Sequence, residues 1–179
     1  MIDDFRRDEV WDNRYNSSTK KYTGKNDFMI SRIKESLDFY YNDLFDESSK
    51  TLIVPKELCI GARSENSVAM DGTLECLKTT PKLPLGLLQT NEYPIISLDP
   101  ECTKFDNPQC TNYNFLTNLS SFWSLNAVAG NTYQVYEISG IPIAEETNTK
   151  SQSRIVLNIS SDVLYSSGKG TEDDPYIIK

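Results

Sequence analysis

The chain is predicted to fold as an α+β domain, and three observations predict it. An amphipathic helical run lies early, short aromatic and β-branched runs separated by polar turns fill the second half, and four cysteines fall into two local pairs. The stretch from Asn26 to Phe45 places Ile30, Ile33, Leu37, Tyr40, Tyr41 and Leu44 at helical spacing. Asn26 or Asp27 is positioned to cap its free amides, and Arg32, Lys34, Glu35 and Asp38 fall on its wet face. A strand-like Leu85 to Leu88 leads into a second, shorter helix with Thr90 as cap. There Glu92 and Pro94 sit in the first turn, and Tyr93, Ile96 and Leu98 face inward.

The later runs follow strand grammar. They are Phe122 to Leu125, Thr132 to Ile138, Arg154 to Ile159 and a last one around Val163 to Tyr165, with loops expected at Asn126 to Asn131 and Glu145 to Ser153. In the third run Ile155, Leu157 and Ile159 point one way, as a half-buried strand requires. At the end, Gly168 and Gly170 permit positive φ at a turn, and Pro175 sets an extended approach to a terminal edge strand at Tyr176 to Ile178. No internal repeat interrupts this order, so residues 1–179 are expected to form one domain, with residues 1–25 as an extended N-terminal strand or arm.

Cys59, Cys76, Cys102 and Cys110 have spacings that match no tight zinc knuckle. Of the three possible pairings, Cys59 with Cys76 and Cys102 with Cys110 is expected, because each pair brackets a polar, turn-rich segment. Closing a loop of about 15 residues is worth roughly 3 kcal/mol and implies an oxidising compartment. The alternative is four buried thiols in a cytosolic protein.

Composition excludes several functions. Eighteen basic against twenty-six acidic residues give a net charge of −8, which repels a nucleic-acid backbone. There is no histidine, which removes the commonest general base and zinc ligand. No apolar run approaches the length of a membrane helix, and the start of the chain lacks a secretory signal, so any membrane attachment is expected through an anchor outside this sequence. Acidic doublets such as Glu145–Glu146, or Asp99 with Glu101, read as surface charge rather than a glycosidase pair. The reading is a non-enzyme without cofactor or metal; Glu172, Asp173 and Asp174 lack the oxygen spacing of a calcium loop and read as a solvated turn.

The stretch from Arg154 to Ile178, with Asn158-Ile159-Ser160-Ser161-Asp162-Val163 and Gly168-Lys169-Gly170-Thr171 before Pro175-Tyr176, resembles a recurrent ending of exported proteins of gut-dwelling Firmicutes and their relatives. Phe122-Trp123-Ser124-Leu125 is similar to the aromatic-Trp-Thr-Leu strand of that group, and residues 57–61 and 85–93 sit where similar segments fall. The resemblance implies a C-type-lectin-like fold, akin to formylglycine-generating enzymes, carried by pilin-like or other bacterial surface proteins. Ile155 departs from the usual proline, and the lectin calcium triplets and the formylglycine cysteine pair are absent.

The function expected is extracellular ligand capture or adhesion at the bacterial surface, by an unidentified glycan or protein, with sister subunits of a surface assembly as the alternative partners. The candidate contacts are Tyr113, Trp123, Asn126, Asn131, Tyr133, Gln134 and Tyr136, since flat rings with amide partners cover a ligand face at low entropy cost. Gly130 to Glu137 is the preferred region. Trp123 beside Phe122 and Leu125 also reads as core, and Tyr133 and Tyr136 fall on opposite strand faces, so one of the two is expected to be buried.

Overall fold

Ser31 divides the early helical run. The computed structural model describes residues 8–117, 120–169 and 173–178. In it Asp27 caps only a short 3-10 turn at Phe28–Ile30, accepting from the Met29 amide, and Ser31 then starts helix α1, Arg32–Phe39, by accepting from the Lys34 amide at 3.2 Å. Beyond α1 the chain widens into a π turn at Tyr40–Leu44. Ile33, Leu37 and Tyr40 are buried as the periodicity requires, but the break and the widened turn shift the phase, so Ile30 and Leu44 are exposed. Lys34, placed on the wet face by the sequence, is largely covered, and its ammonium meets Asp38 one turn on at 2.5 Å. A further helix, α2 at Glu47–Leu52, is capped by Asp46.

A five-stranded sheet forms the other layer. Its strands are β1 (Asp8–Val10), β5 (Phe122–Ala127), β6 (Gln134–Ser139), β7 (Ile141–Glu146) and β8 (Lys150–Gln152), in the order β1-β8-β5-β6-β7. All pairings are antiparallel except β8 with β5, and a register shift between Trp123 and Ala127 bends β5. Three two-stranded pairs accompany it. These are β2 (Tyr15–Asn16) with β3 (Lys21–Tyr22), β4 (Leu85–Leu87) with β9 (Ile155–Leu157), and β10 (Tyr165–Ser167) with β11 (Ile177–Ile178). The fold is therefore α+β with short, mostly antiparallel strands.

Two strands lie where a loop was expected. The segment Glu145 to Ser153 contains the end of β7 and all of β8. β8 and the last two residues of β7 are polar, and β7 lies at the sheet edge, where Pro142, Glu145 and Glu146 discourage pairing with another chain. Within residues 1–25, expected as an extended strand or arm, β1 is an edge strand against β8. Trp11 and Trp123 meet edge to face at 6.2 Å at the centre of the main core, with Phe28, Ile33 and Leu37 from the helical layer and Leu85, Leu87, Leu125 and Val135 from strands.

The segment between α2 and β5 carries little regular structure beyond β4 and the four-residue helix α3, Glu92–Ile95. Here both expected disulfides form, Cys59–Cys76 and Cys102–Cys110, with Cα atoms 4.4 and 4.7 Å apart. Gly61 lets the two sides of the first staple approach, since a Cβ there would stand 2.3 Å from the Leu74 carbonyl oxygen. Tyr93 is fully buried and Pro94 lies in the first turn of α3, but Leu98 is 81% exposed and Thr90 does not cap, because its hydroxyl and amide are drawn to Asn126 and Ser124. The C-terminal turn has Gly168 at φ +97° against Pro175, whose carbonyl oxygen a Cβ would meet at 1.9 Å. Gly170 and the acidic residue Glu172 lie outside the described residues.

Candidate functional site

Three of the seven candidate contacts belong to the interior. Trp123 is fully buried and donates its indole N–H to the Glu9 carbonyl at 2.9 Å, tying β5 to β1. Asn126 is also fully buried. Its Nδ2 donates to the carbonyls of Cys59 and Gly61, and its Oδ1 accepts from the amide and hydroxyl of Thr90. This amide satisfies loop backbone that would otherwise be buried without partners. Tyr136 stacks edge to face on Phe105 at 5.6 Å and donates to the Arg63 carbonyl, and burial, with Glu65 adding to it, pushes its phenol up to about 12. Of the pair on opposite strand faces, Tyr136 is the inward one and Tyr133 the outward one, 52% exposed.

Asn131, Tyr133 and Gln134 do come together, in the turn before β6. Asn131 accepts from the Tyr133 amide at 2.7 Å and donates to the Gln134 side chain, while Asn26 binds the carbonyls of Asn131 and Gln134 at 2.9 Å each. Their polar groups are thus largely occupied in shaping the turn. Tyr113 stands on a different loop, after the second staple, at φ +50° and 77% exposed. These residues form a surface of separate tyrosines rather than a concave site.

The larger concavity lies elsewhere. A groove of about 700 Å³ runs between the end of α2 and the loop after the second staple, with β9 along its floor. Leu52, Ile53, Phe115, Leu116, Phe122 and Ile178 line it together with the strand. Ile155, Val156 and Leu157 all line it, so the strand presents its edge as well as one side-chain face. β9 has β4 as its strand neighbour, and among the described residues no strand occupies its other edge. Among the described residues the one charged lining residue is Arg154, whose guanidinium lies 5.3 Å from the Phe122 ring and donates to Gln152.

The sequence did signal parts of this groove. The run from Arg154 to Ile159 was read as a half-buried strand, but alternation predicts a wet outer face, whereas Val156 is half-buried and Ile159 half exposed. Phe115, Ile178 and Ile159 are exposed apolar residues whose common wall only the fold assembles. No group of three or more histidine, cysteine, aspartate or glutamate side chains capable of holding a metal ion occurs among the described residues. No helix in the described residues is long and apolar enough to cross a membrane. No protein-family model, curated protein or solved structure matches the chain.

Proposed function

We propose that the protein is a non-catalytic, disulfide-braced module of the bacterial cell exterior that docks an extended apolar segment of a partner chain in the groove beside β9. The observation that carries this reading is the conjunction of an apolar groove with a strand edge along its floor. An added strand satisfies backbone groups and seats alternate side chains in the apolar walls. Of the two functions the sequence suggests, this is the protein-contact one.

Two disulfides support the extracellular placement, because such bonds persist in oxidising compartments. The C-type-lectin-like, pilin-like assignment belongs to the same proposal and rests on the resemblance of the segment from Arg154 to Ile178.

Selection from a displayed peptide library tests the reading. Enriched peptides are expected to alternate apolar residues at every second position and to lose at least tenfold in affinity to Val156→Asp protein that retains its circular dichroism spectrum. The same peptides should bind Tyr133→Ala normally. Peptides indifferent to Val156→Asp, or glycan-array binding abolished by Tyr133→Ala in a folded protein, would return the site to the turn before β6 and overturn the proposal.

A further inference from the structure

Residues 11–35 carry six basic and three acidic side chains, whereas the other 154 carry twelve basic and twenty-three acidic. The positive segment folds into β2, β3 and the start of α1, and frames a second concavity of about 540 Å³ on the protein surface. Arg14 and Arg32 both line it, with Asn13, Asn16, Ser17 and Thr23, and among the described residues no carboxylate lines it. Tyr15 borders it and meets Tyr22 edge to face at 5.4 Å across the hairpin. Each of its two arginines is paired with a carboxylate outside the lining, Arg14 with Asp12 and Arg32 with Glu35.

The geometry of Arg14 is set by a buried partner. Asp12 is fully buried and accepts from Nε of Arg14 at 2.8 Å, from its Nη2, and from the Lys25 amide at 2.8 Å. The guanidinium is therefore fixed by one edge, and its Nη1 has no protein acceptor among the described residues. Arg32 is anchored at Nη1 by Glu35 at 2.6 Å, and its Nε and Nη2 have no protein acceptor among the described residues. Each arginine thus keeps donors in reserve at the wall of one concavity.

We propose that this concavity binds a compact tetrahedral oxyanion of the phosphate or sulfate class. Two guanidiniums from separate elements, with hydroxyl and amide donors beside them, supply more hydrogen bonds than the two oxygens of a carboxylate accept, and suit a group with three or four. The orienting carboxylate of Asp12 holds one fork before the anion arrives, so less ordering accompanies binding. Asp12 is a positioning residue here. The site is separate from the groove beside β9 and stands whatever occupies that groove.

Titration of ¹⁵N-labelled full-length protein with inorganic phosphate, inorganic sulfate and phenyl phosphate tests the assignment. Shifts are expected at residues 13–17 and 23 and at the Arg14 and Arg32 Nε resonances, with affinity falling as sodium chloride rises. Arg32→Met, which leaves the Asp12–Arg14 pair intact, should weaken binding at least tenfold, and Arg14→Lys should do likewise while keeping a cation against Asp12. Phenyl phosphate binding more tightly than phosphate would identify a phosphorylated carrier resting on Tyr15; equal binding would identify the free ion. Either result supports the site. Absence of shifts at millimolar anion, shifts confined to other residues, or an affinity unchanged in a folded Arg32→Met protein would overturn it.

Discussion

The sheet with its helical layer and the stapled segment between α2 and β5 are held together by different means. In the first, Trp11, Trp123, Ile33, Leu37 and Val135 are essentially removed from water, and close packing of large side chains fixes the strands. In the second, about seventy residues contain one three-residue strand, one four-residue helix and two 3-10 turns, and its backbone pairs mostly through turns and isolated bridges. Single side chains add to these. Arg63, fully buried, donates to Glu75 at 2.6 Å and to the carbonyls of Ser67 and Ala69, and lies 3.9 Å over the Phe105 ring. Asn114 and Asn126 each bridge two or more stretches of this backbone, and two disulfides close its loops. Where chain order supplies few long-range ladders, polar point fixings and covalent bonds do the work that apolar area does elsewhere.

Breaking the Arg63 fixing gives the largest effect. Arg63→Ala leaves Glu75 buried without its cation and frees the Ser67 and Ala69 carbonyls, so a loss of about 3–5 kcal/mol in urea unfolding is expected. Replacing both partners by apolar residues of similar volume should recover most of it, because the desolvation of two charges then disappears. A double variant as unstable as Arg63→Ala would show that the carbonyl bonds, not the ion pair, dominate.

Next come the staples. Replacing Cys59 and Cys76 by serine is expected to lower stability by about 3 kcal/mol, and the shorter Cys102–Cys110 loop by roughly half a kcal/mol less, since the entropy of closure grows only with the logarithm of loop length. Hydrogen exchange sharpens the contrast. Amides of Gly61 and Thr80 should lose protection in the first variant, while those of Asp12 and Val128, which donate to Thr147 and Gln134, keep it. Equal loss in both regions would mean that the two unfold as one cooperative unit.

This division also explains how far the sequence is legible. Helix α1 and strands β5, β6 and β9 follow from the spacing of their apolar residues, and both disulfides from the turn-rich segments they bracket. Strands β7 and β8 do not, because edge and peripheral strands carry Pro142, Glu145, Glu146 and Lys150, which read as loop. Asn126 looks like a loop contact by residue type, yet β5 runs on to Ala127 with every residue buried, as a strand covered on both faces must be. Nothing in Gly61-Ala62-Arg63-Ser64 marks a buried cation; its partner Glu75 is twelve residues away, brought near by the first staple. The groove beside β9 is legible only in pieces, since its lining comes from at least five separate stretches of chain between Phe45 and Ile178.

The smallest expected effect lies on the sheet side and concerns pH. Burial alone would raise the Asp12 carboxyl, but the hydrogen bond from the Arg14 side chain, those from the Lys25 and Arg14 amides and the Arg14 charge outweigh it and hold the group below the usual carboxylate range. A depressed carboxyl contributes stability that is complete above its unfolded value, near 3.8, and is lost as pH falls through the lower folded value. Asp46, Asp71 and Asp99 are lowered as well, by the amides and hydroxyls they accept from in turns and caps, so the protein should weaken below about pH 3.8 by several exposed steps and one buried one. Glu92 runs the other way: burial raises it, and its contribution falls as pH rises above its unfolded value near 4.5. Urea midpoints measured from pH 5 to pH 2 should therefore fall less steeply in Asp12→Asn than in the parent, with the difference confined to the acid limb. Parallel curves would mean that Asp12 titrates alike in folded and unfolded chains, and that Arg14 is held by packing rather than by charge.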